Sequence, residues 1–97
     1  MNLYHIKLLN GTDLIAEIGE SDNDGMILIE PVEFVLDPNN GLFVKNWLLW
    51  SEANDVYVYF DQIIFYNPAS VGTYNKYQQF FEQINEAVQT NLPRSIH

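Results

Sequence analysis

His5-Ile-Lys-Leu-Leu-Asn-Gly-Thr-Asp-Leu-Ile-Ala-Glu-Ile18, the polar break Ser21-Asp-Asn-Asp-Gly25, and Met26-Ile-Leu-Ile-Glu-Pro-Val-Glu-Phe-Val35 decide the fold. They read as three consecutive β-strands joined by two tight turns. Tyr4, Ile6 and Leu8 alternate with His5, Lys7 and Leu9, and Leu14, Ala16 and Ile18 alternate with Asp13, Ile15 and Glu17. Alternation with period two is what a strand with one dry and one wetter face requires. Asn10-Gly11 supplies positive-φ residues for a two-residue hairpin turn. In the third strand Ile27 and Ile29 share one phase, whereas Val32, Phe34 and Leu36 take the opposite one after Pro31. A proline at a phase change predicts a bend or bulge that lets one long strand serve two surfaces.

Outward from this meander, Asp37-Pro-Asn-Asn-Gly41 is a turn by composition. Leu42 to Trp50 is dense in β-formers and reads as a strand, and Ser51 to Asp55 turns the chain again. Val56, Val58 and Phe60 alternate with Tyr57 and Tyr59; after Asp61-Gln62, Ile63 to Tyr66 forms a short last strand. Asn67-Pro68 predicts a helix start, with Asn as cap and Pro in the first turn. Tyr74, Tyr77, Phe81, Ile84 and Val88 then mark one apolar face of about five helical turns, with Asn75, Gln79, Glu82, Glu86 and Gln89 opposite and Asn91 and Pro93 as the expected stop. The expectation is one domain, mainly β: five to six antiparallel strands in a small, strongly bent barrel over 1–66. The C-terminal helix and tail, 67–97, would pack on that barrel or on a neighbouring subunit.

Composition narrows the function. The 97 residues carry a net charge of −9, with Lys7, Lys45, Lys76 and Arg94 as the only Lys and Arg, which opposes binding through phosphates. With no cysteine, disulfides, thiolate catalysis and cysteine-ligated zinc are excluded. The apolar runs fall short of the roughly 18–20 residues of a membrane span. Met1-Asn-Leu-Tyr-His shows no basic-then-apolar leader pattern, so a cytoplasmic life and no membrane partner are expected. Asp22-Asn-Asp-Gly25 fails as a calcium loop, because Met26 falls where an oxygen ligand is needed. His5 and His97 stand alone, and Glu17, Glu20, Glu30 and Glu33 read as wet strand sides. No catalytic residue, metal ligand or cofactor is assigned, and the chain reads as a non-enzyme.

The order of elements resembles the first motif of the Sm-like (LSm) family, small barrels that assemble into rings and bind RNA. Asn10-Gly11 matches its turn, Ala16 stands at its Gly, Ile18 at its Leu, Asp22 at its Asp, and Ile27-Leu-Ile29 in its apolar strand. Ser21 and Met26 replace the motif's aromatic and Asn. The chain is also similar to Sm-like proteins of tailed phages of marine cyanobacteria. Gly11 to Glu17, Leu28 to Pro31, Trp47 to Ser51 and Val56 to Ile63 carry that resemblance. It implies a homo-oligomeric ring of roughly five to seven copies joined edge to edge, in a bacterial host cytoplasm. The interface candidates are Val56, Tyr57, Val58, Tyr59, Ile63, Ile64, Phe65 and Tyr66. It also implies single-stranded RNA or DNA as a partner, in binding or processing. The family's base-pocket positions hold Asp24, Met26 and Phe60-Asp61-Gln62 here, without the usual aromatic, Asn and Arg. The nucleic-acid candidates are therefore the turn residues Asp22, Asn23, Asp24, Phe60, Asp61 and Gln62, the neighbouring Tyr59, and Lys45 and Trp47. A protein–protein adaptor or purely structural ring in phage assembly or host takeover is the alternative, favoured by the acidic charge.

Overall fold

A computed structural model describes the backbone of residues 2–96 and the side chains of residues 2–84. The strands are β1 (Leu3–Leu8), β2 (Asp13–Ser21), β3 (Gly25–Asp37), β4 (Gly41–Asn46), β5 (Asp55–Tyr59) and β6 (Ile63–Pro68). A 3-10 turn, Phe60–Gln62, joins β5 to β6, and helix α1 (Val71–Ile96) follows. The pairing is antiparallel throughout, in one open sheet of order β4-β3-β2-β1-β6, with β5 also on β3. β5 pairs with Gly25–Ile29 and β4 with Val32–Asp37, so the two lie end to end along one side of β3.

The junction between them is a bulge. Ile15 opposes Val32 and Glu17 opposes Ile29, so Glu30 and Pro31 together face the single residue Ala16. Glu30 takes φ 49, the only non-glycine in the left-handed region among the described residues. One extra residue reverses which side chains point to which face. Before it, Met26 and Leu28 enter a core with Ile6, Leu8, Leu14, Ala16 and Val58 on the inner face of the bend. After it, Val32 joins Leu3, Ile15 and Tyr77 on the outer face, beneath α1. The phase change read from Pro31 is present. Its interior members before the bend are Met26 and Leu28, while Ile27 and Ile29 lie outside, close against Gly19.

Four local expectations are corrected. The first hairpin closes through a three-residue loop, Leu9-Asn10-Gly11, with Gly11 alone at positive φ (92°) and Leu8 N–H donating to Thr12 O at 2.9 Å. That is a turn with a glycine bulge, stabilised by Thr12 N–H on Asn10 Oδ1. The strand read over Leu42–Trp50 stops at Asn46, whose side chain accepts the Leu48 N–H and turns Trp47–Trp50 away from the sheet. Asn67 and Pro68 do not start the helix. They extend β6 against His5 and Tyr4, and Ser70 caps α1 instead, its Oγ accepting the Thr73 N–H at 3.2 Å. The helix also continues past Asn91 and Pro93 to Ile96.

The predicted apolar helix face docks through Tyr74, Tyr77 and Phe81, but its Ile84 is 39% exposed, and Phe80 joins the contact instead. Tyr77 is 1% exposed, with Tyr74, Phe80 and Phe81 packed around the same cluster; Val88, Glu86 and Gln89 lie outside the described side chains. Tyr77 O–H donates to Glu30 O at 2.9 Å, so the helix is bonded to the bulge itself. Burial, with the negative Glu30 and Glu17 nearby, pushes its phenol well above the ordinary tyrosine range. Tyr77→Ala is expected to cost about 3–5 kcal/mol and Tyr77→Phe about 1 kcal/mol in urea denaturation. A Tyr77→Ala loss no larger than that of an exposed-site change would contradict this docking.

Candidate nucleic-acid interface and assembly edges

Two turns far apart in sequence are knitted together at one end of the sheet. Asp22 Oδ1 accepts the N–H groups of Asp24 (2.8 Å) and Gly25 (2.9 Å), which shapes the β2–β3 turn. The same oxygen accepts Tyr57 O–H at 2.6 Å, and Phe60 N–H donates to Asp24 O at 2.8 Å. The expected candidates Asp22, Asn23, Asp24, Phe60, Asp61 and Gln62 thus lie on adjoining turns, with Tyr59 beside them. Gly25 is required at this junction, because a Cβ there would sit 2.4 Å from Val58 O and 2.8 Å from Tyr57 Cζ.

The electrostatics of this end are anionic. The Tyr57 hydroxyl first, then the Asp24 and Gly25 amides, hold the Asp22 carboxyl below the usual carboxylate range. In return the Asp22 carboxylate pushes the Tyr57 phenol up to about 12. Asp24 and Asp61 stand on the same pair of turns. Among the described residues the ion-paired lysines lie elsewhere: Lys7 Nζ donates to Asp13 Oδ2 at 3.1 Å, and Lys45 Nζ sits 3.7 Å from Glu33.

Of the two remaining candidates, Trp47 is brought to the turn pair and Lys45 is not. Lys45 lies on β4, beyond the bend. Trp47 packs against the inner-face core and lines one groove with Tyr57, Tyr59 and Gln62 of the turn pair, beside Leu8 and Val56. Tyr59 is the most open aromatic of the turn pair at 58% exposure, standing edge-on to Tyr57. Phe60 is half-buried against the core.

The interface candidates occupy two of the three free edges of the sheet, β5 and β6, the third being the outer side of β4. β5 bonds β3 on one side and β6 bonds β1, and no β5–β6 ladder exists among the described residues. Tyr57, Tyr59, Ile64, Phe65 and Tyr66 are exposed there. Val58 is 8% exposed and faces the core, and Val56 and Ile63 are half-buried against it, so these three give the edges backbone rather than free side chains.

On the outer face, His5 Nε2 and Asp13 Oδ1 are 2.8 Å apart, and the Phe65 ring stands edge-on to His5. Burial raises the Asp13 carboxyl, but the His5 and Lys7 contacts outweigh it and hold it below the ordinary range. Sequence reading did not single out this trio, although a tight hairpin places Lys7 opposite Asp13. The long-range Tyr57–Asp22 bond left no such signal. Among the described residues no set of three His, Asp or Glu is placed to hold a metal ion. Among the described residues no helix is long and apolar enough to cross a membrane. Comparison with protein-family models and with curated proteins finds no match for this chain.

The depressed Asp22 acidity fixes the sign of a pH effect. A carboxyl with a lowered folded-state pKa adds stability above its unfolded value of about 3.9, and loses it as pH falls through the folded value. Asp22→Asn is therefore expected to melt below the unmodified protein at pH 7, the two curves converging as the pH drops below about 4. A melting difference independent of pH would contradict the charge-assisted Tyr57–Asp22 bond.

Proposed function

We propose that this chain is an Sm-like subunit that pairs β5 of one copy with β6 of the next and closes into a ring of roughly five to seven copies. In this reading the bent, open sheet is a partly open barrel completed at both edges by its neighbours. The observation that carries it is that β5 and β6 are free edges on opposite sides of one sheet, each bearing exposed aromatic or aliphatic side chains; β4 is a further edge that this contact leaves open. An unpaired apolar edge is an aggregation template unless it is covered, and a closed ring covers every β5 and β6 edge with the same contact.

The role of the ring is single-stranded nucleic-acid binding or processing, with bases stacking on the open Tyr59 ring beside Phe60. Stacking needs no phosphate contact, which suits a chain of net charge −9. In this reading, which follows the resemblance in the sequence, the ring works in the cytoplasm of a phage-infected bacterium; the absence of a catalytic motif in the sequence supports a binding rather than an enzymatic role. A second reading, a non-enzymatic adaptor or structural ring in phage assembly or host takeover, draws support from a specific feature. Asp22, Asp24 and Asp61 converge where a nucleic-acid chain would pass, and ringed copies would repel phosphates.

Because Val58 faces the core, an edge test belongs at Ile64, which is 55% exposed. Ile64→Asp is expected to give folded monomers by light scattering with an unchanged circular dichroism spectrum. Persistence of the multimer would contradict the edge contact. The unmodified ring is expected to retain labelled oligo-uridine at low salt, with loss in Tyr59→Ala. A ring that ignores the oligonucleotide leaves the adaptor reading in place.

A further inference from the structure

The segment between β4 and β5 leaves the sheet and returns to it at the bulge. Trp47 N–H donates to Pro31 O at 3.2 Å at its start, and Asn54 O accepts the Glu30 N–H at 2.8 Å at its end. Inside it, Ser51 N–H bonds Leu48 O at 3.0 Å and Ala53 N–H bonds Ser51 Oγ at 3.1 Å. A segment held at both ends and across its middle presents its tip in a defined place. At that tip Trp50 is 96% exposed, beside Leu49 at 61%. A built turn that holds an indole in water is a surface feature in need of a partner.

At the other end of the sheet, an open groove of about 340 Å³ lies where β6 meets the start of α1. It is lined by Asn2, Leu3, Tyr4, Pro68, Ala69 and Tyr74. Neither this lining nor Leu48-Leu49-Trp50 carries a charged side chain. Two copies of a −9 chain repel at long range, so their contact falls where both surfaces are neutral.

We infer that Trp50 is the anchor of the contact between copies, its indole seated in the Leu3–Tyr4–Pro68–Ala69–Tyr74 groove of the next subunit. This rests on the edge pairing proposed above. Antiparallel pairing sets the start of β5, Asp55, against the end of β6, Pro68, of the neighbour. The Trp50 turn lies five residues before Asp55 and Pro68 itself lines the groove, so the operation that joins the edges brings tip and groove to the same end of the paired strands. Within a single chain β3, β2 and β1 separate β5 from β6 in the sheet order, and the exposure of Trp50 shows that it does not fill its own groove. The contact is heterologous, tip of one copy into groove of the next, which is the type that closes rings. Tryptophan in a neutral pocket is the usual form of an interface anchor.

The cysteine-free chain allows a direct test. Trp50→Cys and Ala69→Cys copies are prepared separately, then mixed at high concentration and oxidised, while Trp50→Ala is followed by light scattering across a dilution series. The inference expects disulfide-linked dimers from the mixture and none from either copy alone. It also expects assembly of Trp50→Ala to need at least about tenfold more protein. If the unmodified protein assembles, yet the mixture does not cross-link or Trp50→Ala assembles at the same concentration, the Trp50 contact is overturned and the edge pairing stands. An unmodified protein that is monomeric at every concentration overturns both.

Discussion

The bulge at Glu30–Pro31 is the constraint on which the rest of this structure depends. A straight β3 would send Met26, Leu28, Val32 and Phe34 to one face, and a single sheet of this size could not cover them all. The extra residue divides them between two faces, giving β1, β2 and β5 one core and α1 another. The price is a non-glycine residue in the left-handed region, worth about 1–2 kcal/mol. The surroundings offset it by satisfying the strained peptide on both sides: Glu30 N–H reaches Asn54 O, and Tyr77 O–H reaches Glu30 O. Pro31 fits the same place because its missing N–H removes a donor that a bulged strand leaves unpaired.

The bend also determines what lies at the sheet's ends. β4 and β5 share one side of β3 only because the strand changes direction between them, and the connecting segment must therefore leave and re-enter at the bulge. It carries Trp50 outward as it does so. β5 then becomes a free edge, as β4 is, the 3-10 turn swings the chain across the end of the sheet, and β6 becomes the free edge on β1. Phe60 N–H on Asp24 O and Tyr57 O–H on Asp22 hold that crossing in place. The proposed ring uses these two edges, and the proposed Trp50 contact uses the segment that the bend ejects.

What was legible in the sequence was local. Alternation in Tyr4–Leu8 and Asp13–Ile18 gave the first strands, Pro31 at a phase change gave the bend, and the Tyr74–Tyr77–Phe81 spacing gave the docked helix face. The errors arose where a local signal competed with a distant one. Asn67-Pro68 has good helix-start chemistry, but pairing with Tyr4 and His5 kept it in the sheet, and Ser70 supplied the cap. Leu42–Trp50 is uniformly rich in β-formers, and only the side chain of Asn46 ends the strand within it. Asn10-Gly11 fits two loop lengths, and the Leu8–Thr12 closure selects the longer. The candidate turns were found one by one, yet their union depends on a bond between residues 35 apart, which no spacing rule announces.

The central claim is that β5 and β6 are paired between copies, and amide hydrogen exchange on the intact protein tests it most directly. The relevant amides are those of β5 not bonded to β3 and those of β6 not bonded to β1. The account predicts that they are protected at assembling concentrations to a degree comparable with β2, and lose that protection in Ile64→Asp. Outward amides on both edges that exchange as fast as those of the exposed Asp37–Asn40 turn in the unmodified protein would contradict it.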